Sequence, residues 1–511
     1  MNGPDADFII IGSGPAGVSA AFPLIAAGRR VLMLDAGNDV GLQEENRSAR
    51  VLGSDLESLR ADDGSSPKLQ TPAAREILEP FRHQSGIAGN GFIPIGSLAR
   101  GGLSNIWGAQ ISYLDAEDIA DWPIDIASLQ KSYEHVAKRI GISRNADFTT
   151  GANGEPVLPL GATAAHILHR HQAAKPADKS FRLFPAVNAI LSEARSGRAA
   201  CDLRGDCLYG CPSGAIYNSR QDLLPLRKSP RFRLLDNMRA VSLTRNAGWT
   251  VATADGSSFS APRIILAAGV LGTAALLADL LPIDEQGLRL LNSPTLAIPL
   301  LSPARLLRSP TATHSLAQLG LSLRYGDGAS DCVTGAIYEV GSLPAQSFIN
   351  RMPLGRKAGR AAFEMIASSL LVATIYYPGN QSRSYIGRDA KTKKALTIRG
   401  GFAEGFDIRA GALKKALRRE WKRLGLIQLP GASLAEPGID AHFAGTLPMG
   451  ASGPFGTSSD GELNGHPGLH IVDGSILPDL SSKYVTMTIM ANADRIAHRL
   501  AEIEAIRHLS V

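Results

Sequence analysis

Four apolar residues in a row, Phe8-Ile9-Ile10-Ile11, carry neither a charge nor an alternation. A run of that length and branched content predicts a parallel strand buried on both faces. Small and apolar residues over 15–27 predict a helix, and a second apolar run over 30–34 predicts a second strand ending at Asp35. The stretch 38–90 turns polar and reads as surface excursions. Helical spacing returns over 122–142, and 151–160 is a Gly/Pro-rich connection. Short alternating runs over 232–235, 240–244 and 249–253 predict strands, after which 263–272 is a buried strand entering a glycine turn and a helix. Between 289 and 436, strand-like pieces at 316–323 and 371–377 alternate with a basic helix near 412–424; a last strand at 469–472 precedes a helix over 486–500.

The connection between the first strand and helix is Gly12-Ser13-Gly14-Pro15-Ala16-Gly17. The first glycine permits a tight turn, the second lets a pyrophosphate approach the backbone, and the third lets the helix pack on the strand. The helix N-terminus then faces the phosphate, and Asp35, about 18 residues beyond Gly17, stands where a carboxylate accepts ribose hydroxyl protons. A lone GxGxxG is weak in a chain with 53 glycines; strand, turn, helix, strand and acid in register make it a dinucleotide site.

A chain of 511 residues, 44% hydrophobic, holds two or three packed units. The net charge of +6 is spread along the sequence, and its densest basic run, 414–423, has helical spacing and reads as a solvated face, so no nucleic-acid partner is expected. The polar start lacks a basic leader, no apolar stretch reaches the roughly 18–20 residues that span a bilayer, and the expected location is cytoplasmic. Three of the four cysteines lie within eleven residues, unlike a disulfide framework.

Residues 93–108 contain Arg100-Gly101-Gly102-Leu103-Ser104-Asn105-Ile106-Trp107-Gly108. Two glycines followed by small polar residues and a tryptophan make either a backbone that lies against a flat ligand or an ordinary turn with a core Trp. This loop, about 80 residues after the fingerprint, resembles that of the glucose–methanol–choline family of flavoprotein oxidoreductases, where it runs along the isoalloxazine. The resemblance implies FAD in place of NAD. It also implies a non-covalent flavin, because Ile106 stands where covalently flavinylated members carry histidine. Gly101, Gly102, Ser104, Asn105 and Trp107 become cofactor residues together with Gly12, Ser13, Gly14, Pro15, Ala16, Gly17 and Asp35. The backbone near Val241 is expected at the adenine, Gly269 in the turn that closes the flavin domain, and Asp473, Gly474 and Ser475 at the flavin.

Cys201, Cys207 and Cys211 are spaced closely enough to converge on one soft-metal centre. The set resembles the ligands of a [3Fe-4S] cluster in the family's sugar-dehydrogenase subgroup, which work with an electron-transfer partner subunit; structural thiols are the other reading. His442, in His-x-x-Gly-Thr, matches the family position whose imidazole faces flavin N5. Alcohol oxidation needs a base of near-neutral pKa for the hydroxyl proton as the carbinol hydride leaves. The family's second His or Asn aligns with Tyr484, beside Lys483; a tyrosine can hydrogen-bond the substrate oxygen and a lysine can stabilise an alkoxide.

These readings give an α/β fold, a Rossmann-like FAD-binding domain discontinuous in sequence plus an α+β antiparallel-sheet substrate domain. The divisions are 1–288 for the FAD-binding domain with the Cys-rich segment 201–211, 289–436 for the substrate domain, and 437–511 for a C-terminal return carrying the catalytic histidine. The expected activity is oxidation of a small-molecule CH–OH donor, a sugar, polyol or other alcohol. The rivals are a flavoprotein lyase without net redox turnover and a catalytically silent flavin module.

Overall fold

The computed structural model describes residues 4–38, 69, 72–143, 156–174, 180–205, 207, 211–309, 311–328, 331–340, 349, 353–388 and 396–509. The polar stretch 39–68, residues 151–155 of the Gly/Pro-rich connection and residues 206 and 208–210 of the cysteine segment lie outside them.

One sheet is wholly parallel, in the order Leu469–Ile471, Arg263–Leu266, Phe8–Ile11, Val31–Leu34, Phe232–Leu235. Every residue of Phe8–Ile11, Val31–Leu34 and Arg263–Leu266 is buried, as an uninterrupted apolar run requires of a strand covered on both faces. The fingerprint helix Pro15–Ala26 buries Ala16, Gly17, Val18, Ala20 and Ala21, residues small enough for the terminal helix Thr486–Leu509 to lie against it. The terminal helix in turn buries Met487, Met490, Ala491, Ala493, Ile496, Ala497 and Leu500 and closes one core with the parallel sheet. Its last strand comes from more than 450 residues beyond the first, so the domain is discontinuous in sequence.

The second large sheet is antiparallel, ordered Ile427–Gln428, Thr295–Leu301, Leu370–Tyr376, Cys332–Glu339, Leu319–Arg324, Phe181–Pro185. Period-two alternation divides its faces. Leu371, Ala373 and Ile375 pack with Leu413, Leu417 and Trp421 of the helix Phe406–Arg423, while Tyr376 lies on the other face and lines a deep cleft. Lys415, Arg418, Arg419 and Lys422 of that helix are exposed, the solvated side of an amphipathic element.

Two expectations change. Phe181–Pro185, within the segment assigned to the FAD-binding domain, pairs with residues 319–323 as the edge strand of the antiparallel sheet, and the helix Ala162–Ala173 packs beneath it. The chain therefore enters the second domain before residue 288. The described part of the polar excursion is also not merely surface: the helix Pro72–Gln84 buries Ile77 and Phe81, and Ile87–Asn90 pairs with Leu396–Arg399. Its polar composition concealed one apolar stripe, which caps the cleft.

Candidate active site

The parallel-sheet domain and the antiparallel sheet enclose a cleft of about 490 Å³, within the usual size of a ligand pocket. At its first end the fingerprint does what its glycines require. Gly12 has φ +101°, and a Cβ there would stand 2.5 Å from the Ala267 carbonyl oxygen; one on Gly17 would stand 2.0 Å from that of Gly12. Gly14 meets nothing within 4 Å, which leaves the helix N-terminus open to an approaching phosphate. Asp35 is buried and accepts hydrogen bonds from the backbone N–H of Ser13 (2.7 Å) and Gly37 (2.9 Å). Burial pushes its carboxyl upward against those donors, and it still lines the cleft. Two N–H bonds leave further lone pairs on its oxygens for ribose hydroxyls. An open glycine cradle beside such a carboxylate fits a dinucleotide.

The middle of the cleft is walled by Gly102 to Ser104 and Ile106 to Gly108. Ser13 Oγ accepts the Gly101 N–H at 2.9 Å, and Ser219 Oγ donates to the Ser13 carbonyl, tying this loop to the fingerprint. Asn105 does not line the cleft. Its amide donates to the carbonyls of Arg100 and Gly102, and its oxygen accepts from Asn218. Asn105 and Gly101, at φ +85°, shape the loop; Gly102, Ser104 and Trp107 face the space it encloses. The Trp107 indole donates to the Tyr217 carbonyl at 2.8 Å, which fixes the ring. Val241 and its neighbours Met238 to Ala240 line the far end, and Gly269 lines the cleft between them and Asp473.

Asp473 is a clamp. One oxygen accepts from Thr273 Oγ1 at 2.5 Å, the other from the Ser475 N–H at 3.0 Å, so the Gly269 turn and the Asp473-Gly474-Ser475 turn are held together. Asp473 and Gly474 line the cleft, whereas Ser475, like Gly17, sits behind the lining. Residues 445–449 run alongside that turn through Leu447 N–H to the Ser475 carbonyl and Met449 N–H to the Ile476 carbonyl. This pairing sets the position of His442, just upstream.

His442 is one-fifth exposed, and its Nδ1 stands 3.8 Å from Oδ2 of the buried Asp440. Between them Ala441 has φ +58°, a conformation a non-glycine residue adopts at a cost of order 1 kcal/mol or more. The Ser293 N–H donates to Asp440 at 3.0 Å. Burial nevertheless pushes the Asp440 carboxyl up to about 8. The Tyr376 ring lies 5.2 Å from the His442 ring and 5.3 Å from that of Tyr484, with His442 and Tyr484 6.0 Å apart and nearly perpendicular. The Tyr484 hydroxyl faces the Gln110 side chain without closing a full hydrogen bond, and both groups line the cleft. Burial, followed by Tyr376 and Tyr338, holds the Tyr484 phenol far above its ordinary pKa. It is a neutral donor.

Sequence reasoning missed Asp440, Gln110, Tyr338 and Tyr376. Only Asp440 left a local signal, its position two residues before the histidine.

Lys483 turns away from this end. Its ammonium is held by Asp115 and Asp118, and the pull of those carboxylates outweighs burial and raises its pKa. It is not among the residues lining the cleft. The cysteines lie elsewhere: Cys207 Sγ accepts the Ser315 N–H at 3.3 Å, and Cys211 Sγ lies 3.4 Å from Ser213 Oγ. All three are free thiols packed against the core, and burial pushes Cys207 up to about 11. Among the described residues they do not form a group that could share a single metal ion, yet Cys201 and Cys211 both bear electrostatically on Cys207, and Cys211 on Cys201, so the three thiols are neighbours. Again among the described residues, no helix is long and apolar enough to cross a membrane.

Residues 7–312 match the family described as FAD dependent oxidoreductase. Residues 403–493, which include His442 and Tyr484, match the family described as GMC oxidoreductase. No curated protein matches the chain.

Proposed function

The chain belongs to the FAD-dependent oxidoreductases of the GMC family, and from that premise we propose that it is a dehydrogenase for the CH–OH group of an alcohol, with His442 as the base. FAD, when bound, supplies the two-electron acceptor for the carbinol hydride. Gly12 to Ala16 and Asp35 would hold the dinucleotide, and Gly102 to Gly108 with Asp473 and Gly474 would hold the ring system. Ile106 offers no nucleophile for a covalent link, consistent with a non-covalent flavin.

His442 takes the hydroxyl proton of the substrate on the ring nitrogen facing the cleft. Asp440 stands at the other nitrogen, where its ionised form favours the Nδ1–H tautomer and steadies the imidazolium once formed. The Tyr484 phenol and the Gln110 amide point into the same space and donate hydrogen bonds to the substrate oxygen, the task a second histidine or asparagine performs elsewhere in the family. Tyr338, Tyr376 and Tyr484 make this end ring-lined, which favours an alcohol presenting an apolar or ring face over a free sugar. None of the cysteines lines the cleft, and the alcohol chemistry proposed here runs without a [3Fe-4S] cluster.

The observation that carries the proposal is the cleft-facing His442 backed by a buried carboxyl. Its test is anaerobic: the yellow protein is titrated with aromatic, aliphatic and sugar alcohols while absorbance near roughly 450 nm is followed. Bleaching by an alcohol, abolished in His442→Ala at unchanged flavin content, is the expected result. A flavin that stays oxidised across the panel while a cyanohydrin is cleaved would overturn it in favour of a lyase; one inert to everything would leave a silent flavin module.

A further inference from the structure

On the face of the terminal helix away from the cleft, Asp494 and His498 stand one turn apart and meet His135 of the helix Ile126–Ile140. Asp494 Oδ2 lies 3.1 Å from His135 Nδ1 and 3.7 Å from His498 Nε2. All three ligand atoms fall within 4.8 Å of one another. A tetrahedral ion bound at 2.0–2.1 Å sets neighbouring ligand atoms about 3.3–3.4 Å apart, so the two measured distances bracket the required one. The carboxylate is 4% exposed, whereas the imidazoles are 41% and 47% exposed. The anionic ligand is therefore already fixed, while the two neutral ligands can swing in and solvent can complete the coordination.

We propose that His135, Asp494 and His498 form a binding site for a divalent transition-metal ion of the zinc class. Two imidazoles and one carboxylate suit Zn²⁺, Co²⁺, Ni²⁺ or Cu²⁺ and not the all-oxygen preference of Ca²⁺ or Mg²⁺. Arg139, whose charge reaches Asp494, makes its close contacts elsewhere, with Asp222 at 3.1 Å and Ser19 Oγ at 2.6 Å. Six residues before Asp494 the same helices already touch in the core, where the Tyr133 and Thr488 hydroxyls are 2.6 Å apart. An ion at the rim adds a second fastening between them. Because the helix N-terminus at Thr486 lines the cleft, this fastening limits how far that wall can move. The site is a clamp, distinct from the redox centre.

The test is calorimetric titration of Zn²⁺, and separately Co²⁺, into tag-free, flavin-loaded protein. One equivalent is expected to bind saturably, with a thermal unfolding midpoint that rises with metal concentration. The double variant His135→Ala/His498→Ala, both at exposed positions, keeps its flavin and its alcohol turnover but binds at least about tenfold more weakly, since the loss of an outer-sphere partner alone costs 10–100-fold. The absence of saturable one-equivalent binding at concentrations up to about 100 μM, or equal binding by the double variant, overturns the proposal.

Discussion

The two ends of the cleft are built in opposite ways. The fingerprint end is largely a product of consecutive residues: Gly12 to Gly17 shape it with backbone, and Asp35, 18 residues further on, is tied back to Ser13 at 2.7 Å. The reacting end has almost no local sequence of its own. Gln110, Tyr338, Tyr376, His442 and Tyr484 come from five separate segments, brought together by an antiparallel sheet and a returning C-terminus. A phosphate group is the same in every ligand, so a fixed backbone shape serves. A substrate differs from one enzyme to another, so side chains from scattered segments are varied around a constant base.

The backbone end is the less tolerant of the two. Gly17→Val places carbon where only 2.0 Å separates a Cβ from the Gly12 carbonyl oxygen. Strand and helix must part, which overpacks a core that tolerates little. Flavin is expected to be absent from the purified protein and stability to fall by roughly 3 kcal/mol or more, read as the 450/280 nm ratio and the thermal midpoint. A variant that retains stoichiometric flavin would show that the third glycine is dispensable. His442→Ala is the counterpart at the other end: flavin content and midpoint stay near wild type while turnover falls about 10²–10⁴-fold, the range of general-base catalysis.

How far each end was legible in the sequence follows from the same division. The places of Gly12, Gly14, Gly17 and Asp35 in the strand–turn–helix–strand unit were legible because spacing and backbone freedom are themselves sequence properties. The place of His442 in the cleft was legible through a motif. Tyr376 was visible only as an alternating position in a strand whose inner and outer faces the sequence could not tell apart, and Gln110 lay in a stretch without pattern. The edge strand Phe181–Pro185 was missed because pairing with a strand more than 130 residues away leaves no local trace. Lys483 was misread because its partners, Asp115 and Asp118, are equally remote.

Asp440 offers a pH test with a defined sign. Its carboxyl titrates at about 8 in the folded chain against an ordinary 3.8, so the folded state holds the proton more tightly. The stability this contributes is fully present below 3.8 and is lost as pH rises through about 8. Asp440→Asn is expected to flatten the fall in thermal midpoint across that window. The same ionisation places a negative charge 3.8 Å from His442 Nδ1, which favours the imidazolium, so wild-type turnover rises through pH 8 and the variant, about tenfold slower, loses that limb. A wild-type profile with no inflection in this window would remove Asp440 from the mechanism.

The smallest effect, and the finest test of the contrast, comes from two adjacent residues. Tyr484 and Lys483 share a backbone but face opposite ways. Tyr484→Phe removes one neutral donor and leaves the ring packed against Tyr376. One such hydrogen bond is worth about 0.5–1.5 kcal/mol, so kcat/KM should fall about 2–12-fold with no change in thermal midpoint. Lys483→Met removes a cation from between Asp115 and Asp118, the second of which is largely buried. The two carboxylates are left to repel each other, so the midpoint should drop while kcat/KM with the best alcohol stays within about twofold of wild type. If instead Lys483→Met lowers turnover at unchanged stability, the ammonium acts on the substrate and the assignment of these neighbours must be exchanged.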